Sequence, residues 1–536
     1  MADPSPPVGL PNNEWIELKN ISGTAINLQN WRIGDATGQS GAIPNFILQA
    51  DSFVTICATS AVAAMSLFGT AIVVPNFPSL DNNGDQLFLK SSTGKIIHAV
   101  FYSISWYQNS TKKEGGWSLE MIDANNPCTY KNNWKASIDT KGGTPSMKNS
   151  VNEINPDTES PRLKRAYPID SLKIILEFDE PLDSMKAATI TNYTSDGGII
   201  FNSIACLSPL FHSVQLTTVT PLQPNIIYTI TATNISDCSN NFIGNFNKTK
   251  VALPSAIAVN EIVVNEILFN PKSGSSDFVE FYNRSNKVFD ASKLFVANRN
   301  NSGIISSQKL ISETPFLIFP EDYFAITENS ESMSLNYFVK NRNAFLELPT
   351  LPSFPDNEGI VVLLNSLSLI IDEVKYKDDW HFKLIDNAAG VSLERIDPNG
   401  ISQAETNWTS ASSTAGFATP GYKNSQYKNS QFVKATIEII PKIFSPNGDG
   451  RDDVATIFYK VKESGFIANI SIYNSQGILV NRFSKNATLG LEGFWNWNGT
   501  DDKKNKLPTG AYIVFTELFN LKGEKNQFKN VVILVN

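Results

Sequence analysis

The chain repeats itself across a gap, and the repeat fixes its plan. Residues 277–285 read Asp-Phe-Val-Glu-Phe-Tyr-Asn-Arg-Ser, and residues 13–22 read Asn-Glu-Trp-Ile-Glu-Leu-Lys-Asn-Ile-Ser. Gly116-Trp117-Ser118-Leu119-Glu120-Met121-Ile122-Asp123 matches Gly390-Val391-Ser392-Leu393-Glu394-Arg395-Ile396-Asp397. Asn133-Trp134 matches Asn407-Trp408, and Thr144-Pro145 matches Thr419-Pro420. Two copies of one module, residues 1–150 and 256–425, therefore bracket a different segment, 151–255, and residues 426–536 follow as a linker and a last domain. Such a plan favours a modular binding or scaffolding protein over a single-pocket enzyme.

The copies are not equal at their starts. The second opens with Ile262-Val263-Val264-Asn265-Glu266-Ile267-Leu268, and Met1 to Pro4 aligns with Leu268 to Pro271. The first copy thus lacks the apolar strand that begins its twin. On that ground Met1 is expected to be an internal methionine of a longer protein, whose secretion signal is missing from this chain.

Nearly every ordered-looking segment reads as strand. Residues 96–102, 171–178 and 226–232 are rich in β-branched and aromatic residues near period two, and Asn/Asp/Gly clusters such as 81–85 and 195–198 punctuate them. The best helical stretch is 60–68, with Ser60 as its N-cap. The fold class is all-β, a tandem string of four immunoglobulin-like β-sandwich domains. Residues 422–431, locally repetitive and without an apolar stripe, read as a linker.

Composition excludes several functions. Charged residues make up 18% and the net charge is -8, with no basic block, so the electrostatic term required for nucleic-acid binding is missing. No run of about 18 apolar residues exists to span a membrane as a helix. The three histidines, His98, His212 and His381, fall in different modules without metal-ligand spacing, and no nucleophile elbow, phosphate loop or dinucleotide fingerprint occurs. Glu14 and Glu17 recur as Asp277 and Glu280, three apart on a strand and so on opposite faces. That separation suits no glycosidase pair; the recurrence points to a structural role such as pairing with a turn backbone. No enzyme is expected.

Two ligands have candidate residues. Asn447, Asp449, Asp452 and Asp453 crowd hard oxygens into a Gly-rich loop, as calcium prefers, although Arg451 stands where an EF-hand needs a ligand. The alternative is a tight turn whose Asp side chains cap backbone amides. Calcium is the one cofactor candidate. Trp106, without a clear counterpart in the second copy, is the candidate exposed ring for stacking on a glycan, while Trp134 and Trp408 recur and read as core. Cys57 and Cys128 align with Thr327 and Ser402, so both thiols are absent together from the second copy. A disulfide Cys57–Cys128 is expected on that basis, and Cys206–Cys238 because both lie in the middle segment, with buried free thiols as the alternative.

Three resemblances sharpen this plan. Val264-Asn265-Glu266-Ile267, residues 277–283, Asn407-Trp408 and Thr419-Pro420-Gly421 resemble the bacterial lamin-tail domain, and residues 14–18 and 142–145 carry the same marks. The resemblance implies an immunoglobulin-like sandwich often appended to secreted bacterial proteins. Residues 174–183 and 235–241 resemble a bacterial Ig-like domain of the surface-layer type. Phe444-Ser445-Pro446-Asn447-Gly448-Asp449-Gly450, then residues 470–477, 497–501 and 507–512, resemble FlgD-like, gliding-motility-associated C-terminal domains of bacteria that use type IX secretion. That last resemblance implies export. The expectation is a non-catalytic protein of the cell surface or outer membrane, an adhesion or scaffold module or an accessory subunit, with a protein partner there. The alternatives are the non-catalytic remainder of a secreted hydrolase and a carbohydrate-binding protein.

Overall fold

A computed structural model describes residues 1–127, 131–385, 387–428 and 434–535. It is all-β, and the chain divides into two compact units, Met1–Leu253 and Pro254–Asn536.

In the second unit, the repeated module is built on a six-stranded sheet. Its order is Phe345–Glu347, Tyr323–Thr327, Phe278–Asn283, Ile262–Leu268, Leu393–Arg395, Trp408–Ser410. A four-stranded sheet packs across it, in the order Ile305–Leu310, Leu294–Arg299, Glu358–Asn365, Ile370–Lys377. Between them lie Val264, Phe281, Val296, Phe324, Val361, Leu363 and Trp408, all buried. The strand Ile262–Leu268 is buried at every residue. Its polar pair, Asn265 and Glu266, sits under residues 419–426, which cover the outer face of the sheet. A register shift between Val264 and Glu266 lets the strand serve both faces.

The last domain pairs a three-stranded sheet with a five-stranded one. Its strand Gly510–Asn520 shows why period two works: Tyr512, Val514, Thr516, Leu518 and Asn520 are buried and the residues between them are half-exposed. Residues 422–431 do not act as a free spacer along their described part. Ser425 donates to Glu394 at 2.8 Å, and the Gln426 side chain bonds the carbonyls of Ser410 and Leu489 at 3.1 and 3.0 Å. The polar side chains that suggested a linker are consumed by a buried network.

In the first unit, residues 151–253 form a sandwich of a four-stranded and a three-stranded sheet, with Ile174, Leu176, Val214, Leu216 and Ile230 inside. The first module repeats its twin, but its large sheet is in two pieces: Ala71–Val73, Phe53–Cys57 and Trp15–Lys19 form one, and Leu119–Met121 with Trp134–Ala136 the other. The expected helix at 60–68 shrinks to Val62–Met65. Ala61 stands at its N-cap without a side-chain cap, one residue beyond Ser60. Buried Met65 anchors this single turn.

Candidate functional site

The break in the first module's sheet is a slot where its twin has a strand. Trp15–Lys19 and Leu119–Met121 are its two walls, the counterparts of Phe278–Asn283 and Leu393–Arg395. A cavity of about 330 Å³ opens there, lined by Ile16, Leu89, Val100, Leu119, Met121 and Trp134 among others. At the end of the slot Met1 stands where Leu268 stands in the twin. The Met1 amine donates to the Trp15 carbonyl at 3.1 Å, and the Trp15 amide to the Met1 carbonyl at 3.3 Å, as Leu268 faces Phe278 in the twin. Beyond it the match holds: Gly116 N–H donates to Asp3 at 2.8 Å, and Gly390 N–H to Asn270 at 2.7 Å.

The repeated carboxylates serve the same bonds in both copies. Glu120 accepts from the Thr144 hydroxyl at 2.8 Å and from Ser150 N–H and hydroxyl at 2.7 Å each. Glu394 accepts from the Thr419 and Ser425 hydroxyls and from Gln426 N–H, all at 2.8 Å. Glu17 accepts from Ser146 N–H, and Glu280 from Gly421 N–H, both at 2.6 Å. These acids fasten the closing segment of each module to its sheet, as the recurrence suggested. Buried carboxylates of this kind are held by donors, not poised for proton transfer.

What the slot lacks is visible from the twin. There the Asn265 amide donates to Glu280 at 2.9 Å, and Asn424 donates to the Asn265 carbonyl at 3.0 Å. Glu266 accepts from Ser392 and from both the N–H and hydroxyl of Thr419, at 2.5, 2.8 and 3.0 Å. In the first module Asn149 keeps the bond to the Met121 carbonyl at 2.9 Å, equivalent to Asn424 on Arg395. The slot is thus apolar, but its polar wall fits an Asn-Glu pair. Burial, then the charge of Glu120, pushes Glu17 up to about 8 against the pull of its Ser146 bond. Burial lowers the Met1 amine to about 5.

The expected ligand residues are placed otherwise. Trp106 is 6% exposed and is no platform for a sugar. It sits in the turn Ile104–Tyr107, packs 6.3 Å from Trp134, and has a counterpart after all: Trp380 sits in the turn Asp378–Trp380 and lies 6.3 Å from Trp408. Each Trp pair is core packing. Cys57 and Cys206 are free thiols, so neither expected disulfide forms. Cys238 is in a disulfide, and Cys128 lies outside the described residues. Cys57 is buried against Leu10, Trp15 and Met65, and Thr327 at the same place in the twin gives its hydroxyl to the Asp277 carbonyl at 2.8 Å. Ser402, the counterpart of Cys128, accepts from Arg395 at 2.8 Å. Each replacement therefore has its own local reason. Burial pushes the Cys206 thiol up to about 12.

In the loop of Asn447, Asp449, Asp452 and Asp453, the side chains bond their own turn. Asp453 accepts from Gly448 and Gly450 N–H at 2.6 and 2.8 Å, Asp449 from Arg451 N–H at 2.8 Å, and Asn447 from Asp449 N–H at 3.0 Å. Asp452 has φ +50° and its carbonyl accepts from Ser445 N–H at 2.8 Å. These are the bonds of a tight turn. His212 and His381 bond the hydroxyls of Ser213 and Ser410 at 2.8 Å each, and burial lowers His381 to about 4. Burial also lowers His98, which lines the slot. No histidine among the described residues hydrogen-bonds a carboxylate.

One constellation escaped the sequence. Asp157, Glu180 and Asp237 bring one carboxylate oxygen each to within 4.8 Å of the others. Asp157 sits in the stretch read as a boundary, and Glu180 within Asp179-Glu180-Pro181-Leu182-Asp183, quoted above only as a family mark. Burial, then the charges of Asp157 and Asp237, pushes Glu180 up to about 8.

These features define a class: an all-β, multidomain chain whose buried polar groups fasten modules together. Residues 1–103 match the family model described as Lamin Tail Domain, and residues 438–534 match the CHU_C Type IX secretion signal domain. The chain carries a lamin tail domain at one end and a type IX secretion signal domain at the other, and the latter implies export to the cell surface. Neither is a catalytic domain. No curated protein matches the chain in sequence. Similar solved structures include the S-layer protein SbsC, domains 1-6, at 11% identity over 70% of this chain and 54% of that one, with a TM-score of 0.17. PorZ, described as an essential bacterial surface component of the type-IX secretion system of Porphyromonas gingivalis, is 10% identical over 85% of this chain and 56% of its own, with a TM-score of 0.17. InvD of Yersinia pseudotuberculosis is 8% identical over 70% and 97%, with a TM-score of 0.16. The chain spans about half the length of the SbsC and PorZ structures. At these TM-scores the likenesses carry no functional argument. No described helix is long and apolar enough to cross a membrane.

Proposed function

We propose that this protein is a non-catalytic, exported surface protein, a scaffold or adhesion module with a protein partner at the cell surface. In the first module, the slot between Trp15–Lys19 and Leu119–Met121 accepts one extended segment, supplied by residues upstream of Met1 in a longer chain or by a partner. The observation that carries this reading is the twin module, in which a strand sits between the equivalent walls and pairs with both. Main-chain bonds to two strands supply affinity in such an arrangement, and alternate side chains supply specificity. The segment it fits is apolar around a central Asn-Glu pair. Its Asn reaches the counterpart of Glu280, which is Glu17, and its Glu reaches Ser118 and Thr144, the counterparts of Ser392 and Thr419. The type IX secretion signal domain supports export.

The test is a peptide with the sequence of residues 262–271, titrated into the full chain by calorimetry and followed by hydrogen exchange. Saturable binding with slowed exchange at residues 15–19 and 119–121 is expected. Replacing the central Asn-Glu by Ala-Ala should weaken it at least about tenfold, since each lost charged or buried bond is worth roughly 1–3 kcal/mol. Absence of binding, or equal binding by the Ala-Ala peptide, would overturn the proposal.

A further inference from the structure

We infer that Asp157, Glu180 and Asp237 form a divalent-cation site, with Ca²⁺ the ion it fits, which clamps the segment leaving the first module onto the middle sandwich. The three acids come from separate pieces of chain. Asp157 lies in the irregular stretch before the strand Leu163–Pro168, Glu180 just past Lys173–Phe178, and Asp237 in the loop after Ile227–Ala232. Their oxygens lie within 4.8 Å of one another. Three oxygens at that spread leave a centre at most about 2.8 Å from each, so a shift of a few tenths of an ångström brings all three to the roughly 2.3–2.6 Å of a Ca²⁺ ligand.

The independent observation is what Glu180 does not do. It is 9% exposed, makes no hydrogen bond or ion pair among the described residues, has a fully buried and unpartnered Oε1, and brings a carboxylate oxygen into the cluster. Oδ2 of Asp157 is also buried without a partner. The other deeply buried acids behave differently: Glu120, Glu266, Glu280 and Glu394 each accept from at least two donors. Buried acceptors without donors are costly and rare. The nearby cations are engaged elsewhere. Lys186 bonds Ser236 and Asn240 at 2.9 and 2.8 Å, and Arg162 pairs with Glu159 at 3.6 Å.

The third acid is already fixed. Asn241 donates to both Asp237 oxygens at 2.9 Å, and its amide also reaches the Asp157 carbonyl at 3.2 Å, so one side chain holds loop and segment together. A donor set of carboxylates alone, with no imidazole or thiolate, suits a hard cation. Three ligands from irregular chain, with water completing the shell, suit Ca²⁺ better than Mg²⁺, which demands a near-ideal octahedron.

The experiment is calorimetric titration of CaCl₂, and separately MgCl₂, into the metal-stripped full chain, with hydrogen exchange of residues 153–162 in both states. One Ca²⁺ site is expected, with slower exchange of that segment on binding. It should weaken at least tenfold in Glu180→Gln and in Asp157→Asn, and persist in Asp453→Asn, which alters the other acidic loop. Glu180→Gln replaces a buried acid by its neutral isostere and is expected to fold. No Ca²⁺ heat and no exchange difference up to about 10 mM, beyond the weak end of extracellular calcium modules, would overturn the inference. So would a Ca²⁺ site lost in Asp453→Asn and retained in Glu180→Gln.

Discussion

Removing Asp372 should cost the second repeated module a large part of its stability, and the geometry sets the size. Arg395 is fully buried, and its Nη2 lies 3.1 Å from Asp372 Oδ2. The same oxygen accepts from Val264 N–H at 2.8 Å, while Arg395 Nε donates to the Val264 carbonyl at 2.6 Å and its guanidinium lies over Trp408. The pair thus clips both sides of one residue in the central strand. Burial lowers the guanidinium only to about 10, with Asp372 pulling the other way, so at pH 7 Arg395 is charged. Asp372→Ala leaves that charge without its counter-ion, which costs about 3–5 kcal/mol, and Arg395→Met leaves the buried acid and costs a similar amount. At about 2–4 °C per kcal/mol for a module of this size, either variant should melt roughly 6–20 °C lower. Asp372→Ala with Arg395→Met together should lie within about 2 kcal/mol of the parent, because a buried pair as a whole contributes little. Met is already the residue at the matching place in the first module, Met121, where the register puts His98 opposite Leu89 as Asp372 lies opposite Leu363. Differential scanning calorimetry of the full chain, with hydrogen exchange of residues 262–268 to assign the transition, measures all three variants. Additive losses in the double variant, or a loss below about 1 kcal/mol for Asp372→Ala, would refute the reasoning.

Three further outcomes are expected. Burial, then the charge of Glu394, pushes Glu266 up to about 8, and Glu280 and Glu394 are raised with it. An acid raised in the folded state keeps its proton there while the unfolded chain loses it. The module should therefore lose stability as pH rises from about 4.5 to 8, by up to ~1.4 kcal/mol per pH unit per retained proton, and gain it back on acidification; Glu266→Gln should flatten a melting-temperature series over that range. Trp106→Ala should destabilise the first module by about 3–5 kcal/mol through the cavity left against Trp134, with glycan-array binding unchanged from the parent. Cys57 and Cys206 should resist a maleimide reagent in the native chain and react in denaturant, since one is fully buried and the thiol of the other is raised by burial; mass spectrometry reads the labelling.

Much of the site was legible because the chain carries its own reference copy. Glu17 with Glu280, and Glu120 with Glu394, stand at matching places, and their structural duty follows from recurrence with turn residues that recur beside them. Trp106 was misread because its counterpart, Trp380, has no matching neighbours in sequence: Ser-Ile-Ser-Trp aligns with Lys-Asp-Asp-Trp. Only the shared turn and the shared stacking partner reveal the pair. The thiols were misread because joint absence from one copy does not say which cysteine pairs with which: Cys57 and Cys206 are free thiols, while Cys238 is in a disulfide.

Sequence alone determined the all-β class and the repeat, and its family resemblance pointed to the secretion-type C-terminal domain. The first two depend on period-two patterning and on turn chemistry, which are properties of neighbouring residues. Tertiary structure decided what segments far apart do to one another. It turned the polar stretch at 422–428 into a strap over a sheet, and it set Trp15–Lys19 and Leu119–Met121 as the walls of a slot. It also brought Asp157, Glu180 and Asp237, separated by up to 80 residues, into one cluster. Burial and mutual distance set the chemistry of such groups, and both exist only after the chain has packed.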